Sequence, residues 1–176
     1  MKTIKKITLA IFAIALCTAV TSCKKRGCDD PNADNFENDV QKSDNKTCKY
    51  RNAGSVTFKN IPSTNSSGNY WDSSPYSADP YFRFKPQSSG SWYETYIYYN
   101  ATASAASVSQ YSSSIKLTNE EWDWEIRDSD GYSVPSYNPL MASGTFNPLS
   151  GGSSSHILTV SGSGISVEVG YSISEN

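Results

Sequence analysis

From residue 55 onward, apolar and polar positions alternate in short runs separated by turn-forming residues. The strongest run is EWDWEIRDSDG at 121–131, where Trp122, Trp124 and Ile126 alternate with Asp123, Glu125 and Arg127. A period of two marks a strand with one face in a core and the other in water. This strand leads directly into Asp128-Ser129-Asp130-Gly131. Residues 81–85 repeat the theme, with Phe82 and Phe84 inward and Asp72 and Asp79 upstream. Further strands are expected at 55–59 (Val56 and Phe58 inward), 92–99 (buried on at least one face), 115–117, from 145–146 and at 157–160. The cleanest is 165–173, with Ile165, Val167, Val169, Tyr171 and Ile173 on one face. Residues 63–69, 86–91, 135–143 and 148–155 carry the Ser, Gly, Asn and Pro of turns, and 101–114 is expected to be a polar loop with a weak strand. About eight strands without an amphipathic helix predict an all-β fold, an antiparallel two-sheet sandwich.

The N-terminus follows another pattern. Lys2, Lys5 and Lys6 precede an apolar stretch at 7–20, too short and wrongly flanked for a spanning helix. It ends in Val20-Thr21-Ser22-Cys23, which resembles the bacterial lipobox. Cys17 fits that signal poorly, because Leu16 before it is too large. The resemblance implies a signal peptide at 1–22, with Cys23 diacylated (palmitate-type chains) as the first mature residue. An acidic spacer would fill 23–50 and the sandwich 51–176. Cleavage removes three lysines, so the mature chain is three charges more negative than the −2 of the whole sequence. Lys24-Lys25-Arg26 is either a patch for anionic headgroups or a solvated tether. Lys24 is not the acidic residue of inner-membrane retention, so outer-membrane placement in the cell envelope is expected.

With Cys17 discarded and Cys23 lipidated, Cys28 and Cys48 remain as an even pair in an oxidising compartment. They are expected to form a disulfide, worth about 3 kcal/mol for a loop of roughly 20 residues. Gly27-Cys28, Asp30-Pro31, Ala33, Asn35-Phe36, Asp44, Cys48 and Tyr50 resemble a short two-cysteine module of Bacteroidetes-type envelope proteins, G-C-x-D-P-x-A-x-N-[YF]…D-x-x-x-C-x-Y. The Asp30-x-Asn32-x-Asp34 spacing is that of acidic calcium loops. Asn35 and Gln41 stand where an EF-hand needs Gly and Glu, so a spacer with weak calcium affinity is expected.

Charge and composition narrow the function. No basic block lies outside the N-terminus, which argues against a nucleic-acid partner. The single histidine, His156, stands beside Ser153-Ser154-Ser155 without a G-x-S-x-G elbow. No zinc or phosphate-loop pattern is present, and an enzyme is not expected.

Several segments, in order, resemble a C2 domain across about 55–174. Asp79-Pro80-Tyr81-Phe82-Arg83-Phe84 is similar to that family's D-P-Y-[VF]-x-[VF], with Asp72 near its first loop carboxylate. Asn119-Glu120-Glu121-Trp122 resembles its N-E-x-[FW]. Asp128-x-Asp130 resembles the D-x-D of its third calcium loop, and Ser143-Gly144-Thr145-Phe146 the I-G-x-[FA] after it. The resemblance implies a calcium site of Asp72, Asp79, Asp128 and Asp130. The last acidic ligand is missing, with Ser136 nearest, and Asn138 is the candidate substitute. The Asp72–Asp79 interval is one residue longer than in common members. A site so depleted of charge implies a dissociation constant of roughly 10⁻⁴–10⁻³ M.

Two other readings stay open. Loop aromatics Tyr70, Trp71, Tyr76, Tyr132 and Tyr137 could form a glycan platform, with Trp71 and Tyr132 as the ligand-binding candidates. A tethered sandwich could also act by contact with an envelope protein alone.

Overall fold

A computed structural model describes residues 24–72, 77–101, 107–130, 138–150 and 156–175, with the backbone alone for 107–114. The lipobox with Cys23, and Tyr76, Tyr132, Ser136 and Tyr137, lie outside the described residues.

Ten strands follow in chain order: β1 (Arg26–Gly27), β2 (Lys42–Ser43), β3 (Lys49–Lys59), β4 (Pro80–Pro86), β5 (Tyr93–Glu94), β6 (Ser107–Lys116), β7 (Trp122–Asp128), β8 (Leu140–Phe146), β9 (Ile157–Gly162) and β10 (Ile165–Glu175). β1 and β2 form a minor parallel pair. The other eight make two antiparallel four-stranded sheets, ordered β6-β3-β10-β9 and β5-β4-β7-β8. The sandwich predicted by the alternation is therefore present.

The inner faces meet in one core. Val56, Phe58, Val167 and Val169 come from the first sheet, and Phe82, Phe84, Trp122, Trp124 and Ile126 from the second. The outer face of the second sheet is a charge ladder set by register. Arg83 lies opposite Glu125 and Lys85 opposite Asp123. Both Arg83 and Arg127 reach Glu125, at 2.7 and 2.6 Å. The two edges β8 and β9 approach over Trp124, whose indole covers Gly144 and Gly162.

Four elements differ from the pattern-based expectation. β3 starts at Lys49 rather than at residue 55, crossing the boundary expected between spacer and sandwich. A bulge at Gly54 explains this: register passes from Ala53 to Ser55 on both neighbouring strands. The inward set therefore changes phase between Ala53 and Val56, which hides the first half of the strand. β6 is one strand of ten residues where a polar loop with a weak strand and a separate short 115–117 strand were expected. β8 begins at Leu140, inside the expected 135–143 loop, and ends at Phe146. The 92–99 segment keeps only two ladder residues, and Tyr93, Tyr96 and Tyr99 are exposed. Tyrosine suits a strand and a wet surface equally, so that run carried no burial signal.

The two-cysteine segment is folded. Cys28 and Cys48 are disulfide-bonded with Cα atoms 4.9 Å apart, packed with Ala33 and Tyr50. Asp30 accepts from Asn32 N–H at 2.9 Å and from the Tyr50 hydroxyl at 2.8 Å, while Asp34 pairs with Arg51. These carboxylates of the suspected calcium spacing therefore hold the module together. Asn32 Oδ1 accepts from Asn119 N–H at 3.0 Å, docking the module on the loop before β7.

Candidate metal centre

Alternation along β7 decides where its last side chain goes. Trp122, Trp124 and Ile126 face inward, so Asp128, the next position of that parity, faces inward too and is fully buried. Its Oδ1 accepts the backbone N–H of Asp79 at 2.7 Å. Its Oδ2 is buried and finds no donor among the described residues. An ionised carboxylate in that position is costly unless something positive meets it.

Two other carboxylates approach. Asp72 lies in the connection between β3 and β4. There Asn65 Oδ1 accepts from Ser67 and Asn69 N–H, and Trp71 packs on the core. Asp130 lies two residues beyond β7 and is exposed. Oxygens of Asp72, Asp128 and Asp130 all lie within 4.8 Å of one another. Oxygens on opposite sides of one calcium ion are about 4.6–5.2 Å apart, so this spacing fits a shared cation. The donor set is purely oxygen, which suits a hard cation and not zinc.

Electrostatics follow from that crowding. Burial pushes the Asp128 carboxyl up to about 6, helped by Asp72, Asp130 and Asp79 and opposed by the Asp79 N–H. Asp72 is raised by burial and then by Asp79 and Asp130; Asp130 is raised by burial and by Asp79. Asp79 thus stands beside the cluster. Its Oδ1 accepts from Asn100 N–H at 2.6 Å, and its carbonyl accepts from Ser129 N–H at 3.0 Å.

Asn138 is occupied otherwise. Its amide donates to the Tyr81 hydroxyl at 3.1 Å, and its carbonyl accepts from Arg127 at 2.7 Å. Tyr81 has the opposite parity to core-facing Phe82 and Phe84, so this contact lies on the outer face. Trp71 is half-buried and borders a cleft of about 690 Å³ with Leu140, Met141 and Ile165; its Nε1 is buried and without an acceptor among the described residues. Tyr70 is exposed.

No protein-family model matches the chain, and no curated protein matches it. Solved structures similar to it include human GIVD cytosolic phospholipase A2 in complex with methyl gamma-linolenyl fluorophosphonate (12% identity, TM-score 0.49, 73% of this chain covered). The same enzyme with that inhibitor and terbium chloride is also similar (14% identity, TM-score 0.47, 74% covered). A structure described as a C2 domain matches at 14% identity and TM-score 0.44, covering 72% of this chain and 97% of its own. The chain spans only 17% and 18% of the two phospholipase chains.

Proposed function

We propose that this is a lipid-anchored protein of the bacterial envelope whose C2-like sandwich binds calcium at one tip. The observation that carries the calcium reading is the buried Oδ2 of Asp128, without a donor among the described residues, with Asp72 and Asp130 beside it. Three carboxylates converge where their charges repel, and a divalent cation removes both the repulsion and the desolvation penalty. Asp72 and Asp130 supply oxygens from two loops, and Asp128 anchors them to the sheet. Asp79 positions Asp128 through its N–H and adds negative potential. When bound, calcium supplies charge neutralisation and ties the two loops together; no reaction is implied. The D-x-D and D-P-Y-F-x-F resemblances support the same reading.

Isothermal titration of the full chain in detergent tests this. Calcium should bind with a dissociation constant of roughly 10⁻⁴–10⁻³ M, and the heat should vanish in Asp128→Asn/Asp130→Asn. Absence of heat in the parent chain removes calcium from the account.

Anchorage rests on Val20-Thr21-Ser22-Cys23 and on Lys24, which favours the outer membrane. Cys23→Ser should leave the protein unlabelled by fatty acid and shift it out of the membrane fraction. Continued labelling would overturn the assignment.

A further inference from the structure

After Glu94 the chain leaves the ladder but stays tied to β4. Thr95 N–H donates to Phe82 C=O at 2.9 Å, Phe82 N–H donates to Thr95 Oγ1 at 3.0 Å, and Tyr98 N–H donates to Pro80 C=O at 2.9 Å. Thr95 is buried, so the segment is held firmly while its neighbours face out. Tyr96 and Tyr99 are 65% and 58% exposed, large values for side chains of that size. They border a groove of about 390 Å³ that Tyr81, Glu94 and Asn138 also line. Its polar groups are fixed. The Tyr81 oxygen accepts from Asn138; among the described residues its own O–H and the Asn138 amide oxygen have no other partner and can meet a ligand, and Glu94 is braced by Arg83 at 3.3 Å.

We propose that this groove binds a neutral oligosaccharide. Two aromatic rings at the rim can stack on the C–H faces of pyranose rings, and a tyrosine costs little entropy to fix. A carboxylate, an amide oxygen and a phenol together offer acceptors and a donor to hydroxyls, which are themselves both. Among the described residues no lysine or arginine lines the groove, and Arg83 behind it is already paired with Glu94 and Glu125, so no unpaired cation is offered to a phosphate, sulfate or uronate. The volume lies at the small end of ligand pockets, enough for one or two sugar rings. The site stands apart from the calcium reading, since no residue of the acidic cluster lines it.

The test uses the full chain in a detergent without a sugar headgroup. It is titrated with gluco-, manno-, galacto- and xylo-configured oligosaccharides of two to six units. At least one series should bind at millimolar concentration or below. Tyr96→Ala and Tyr99→Ala should each weaken it tenfold or more, Tyr96→Phe should retain it, and the circular dichroism of all variants should match the parent. Three results overturn the proposal: no series binds, binding survives Tyr96→Ala/Tyr99→Ala, or the groove variants lose only an unglycosylated protein ligand.

Discussion

Asp79 and Asp128 are stitched together in both directions. Asp128 Oδ1 accepts from Asp79 N–H at 2.7 Å, and the next residue, Ser129, returns an N–H to the Asp79 carbonyl at 3.0 Å. Two turns 49 residues apart in sequence are thereby locked at one end of the β4–β7 pair. Their charges are held near each other by these two bonds, one of them made by the Asp128 carboxylate itself. The repulsion is thus built into the fold.

Burial of Asp128, with that repulsion added to it, gives a pH dependence with a definite sign. Asp128 ionises near 6 in the fold against 3.8 for the free side chain. A raised carboxyl destabilises the metal-free fold when ionised. The penalty is absent below 3.8, grows between 3.8 and about 6, and is complete above that, at about 3 kcal/mol. Asp128→Asn keeps an acceptor for Asp79 N–H and removes the charge. In chelator at pH 7 this variant should melt above the parent, and the gap should close toward pH 4. An equal gap at both pH values would refute the electrostatic origin.

The seam under Trp124 makes a second, metal-independent prediction. A Cβ on Gly144 would lie 2.9 Å from the indole Cζ2 and Nε1, inside any normal contact. Trp124 is buried against Phe82 and has nowhere to retreat. Gly144→Ala should cost about 1–3 kcal/mol by overpacking, measured by urea unfolding. Gly90→Ala, with open space around it, serves as the control and should cost far less.

Loss of the disulfide should be felt beyond its own loop. Cys28→Ser/Cys48→Ser should cost about 3 kcal/mol, because the module has little else to bury. The Asn32–Asn119 and Asp34–Arg51 contacts should go with it, so hydrogen exchange should rise at Asn119 N–H. Unchanged exchange there would mean that the module docks without its staple.

Much of this architecture was legible in the chain. Trp122, Trp124 and Ile126 fixed the second sheet, and Ile165, Val167, Val169 and Tyr171 the first, because strict alternation has one structural meaning. The same alternation, extended one step beyond Ile126, places Asp128 inward. The first half of β3 stayed hidden because the Gly54 bulge breaks the period. The outward tyrosines at 96 and 99 stayed hidden because tyrosine alternates without declaring a side. The approach of Asp72 to Asp130 depends on how the chain after β3 brings residue 72 toward the end of β7, which no local pattern encodes. The Asn138 contact with Tyr81 likewise follows from the β4–β7 and β7–β8 pairings together, which align Tyr81, Arg127 and Leu140.

Thermal unfolding of the full chain in about 10 mM calcium and in chelator reads whether the three carboxylates share a cation. With a dissociation constant of roughly 10⁻⁴–10⁻³ M, binding should stabilise the fold by about 1.5–3 kcal/mol. That is a rise of about 3–10 °C in midpoint for a chain of this size, absent in Asp128→Asn/Asp130→Asn. Identical midpoints in calcium and chelator would contradict a shared cation at Asp72, Asp128 and Asp130.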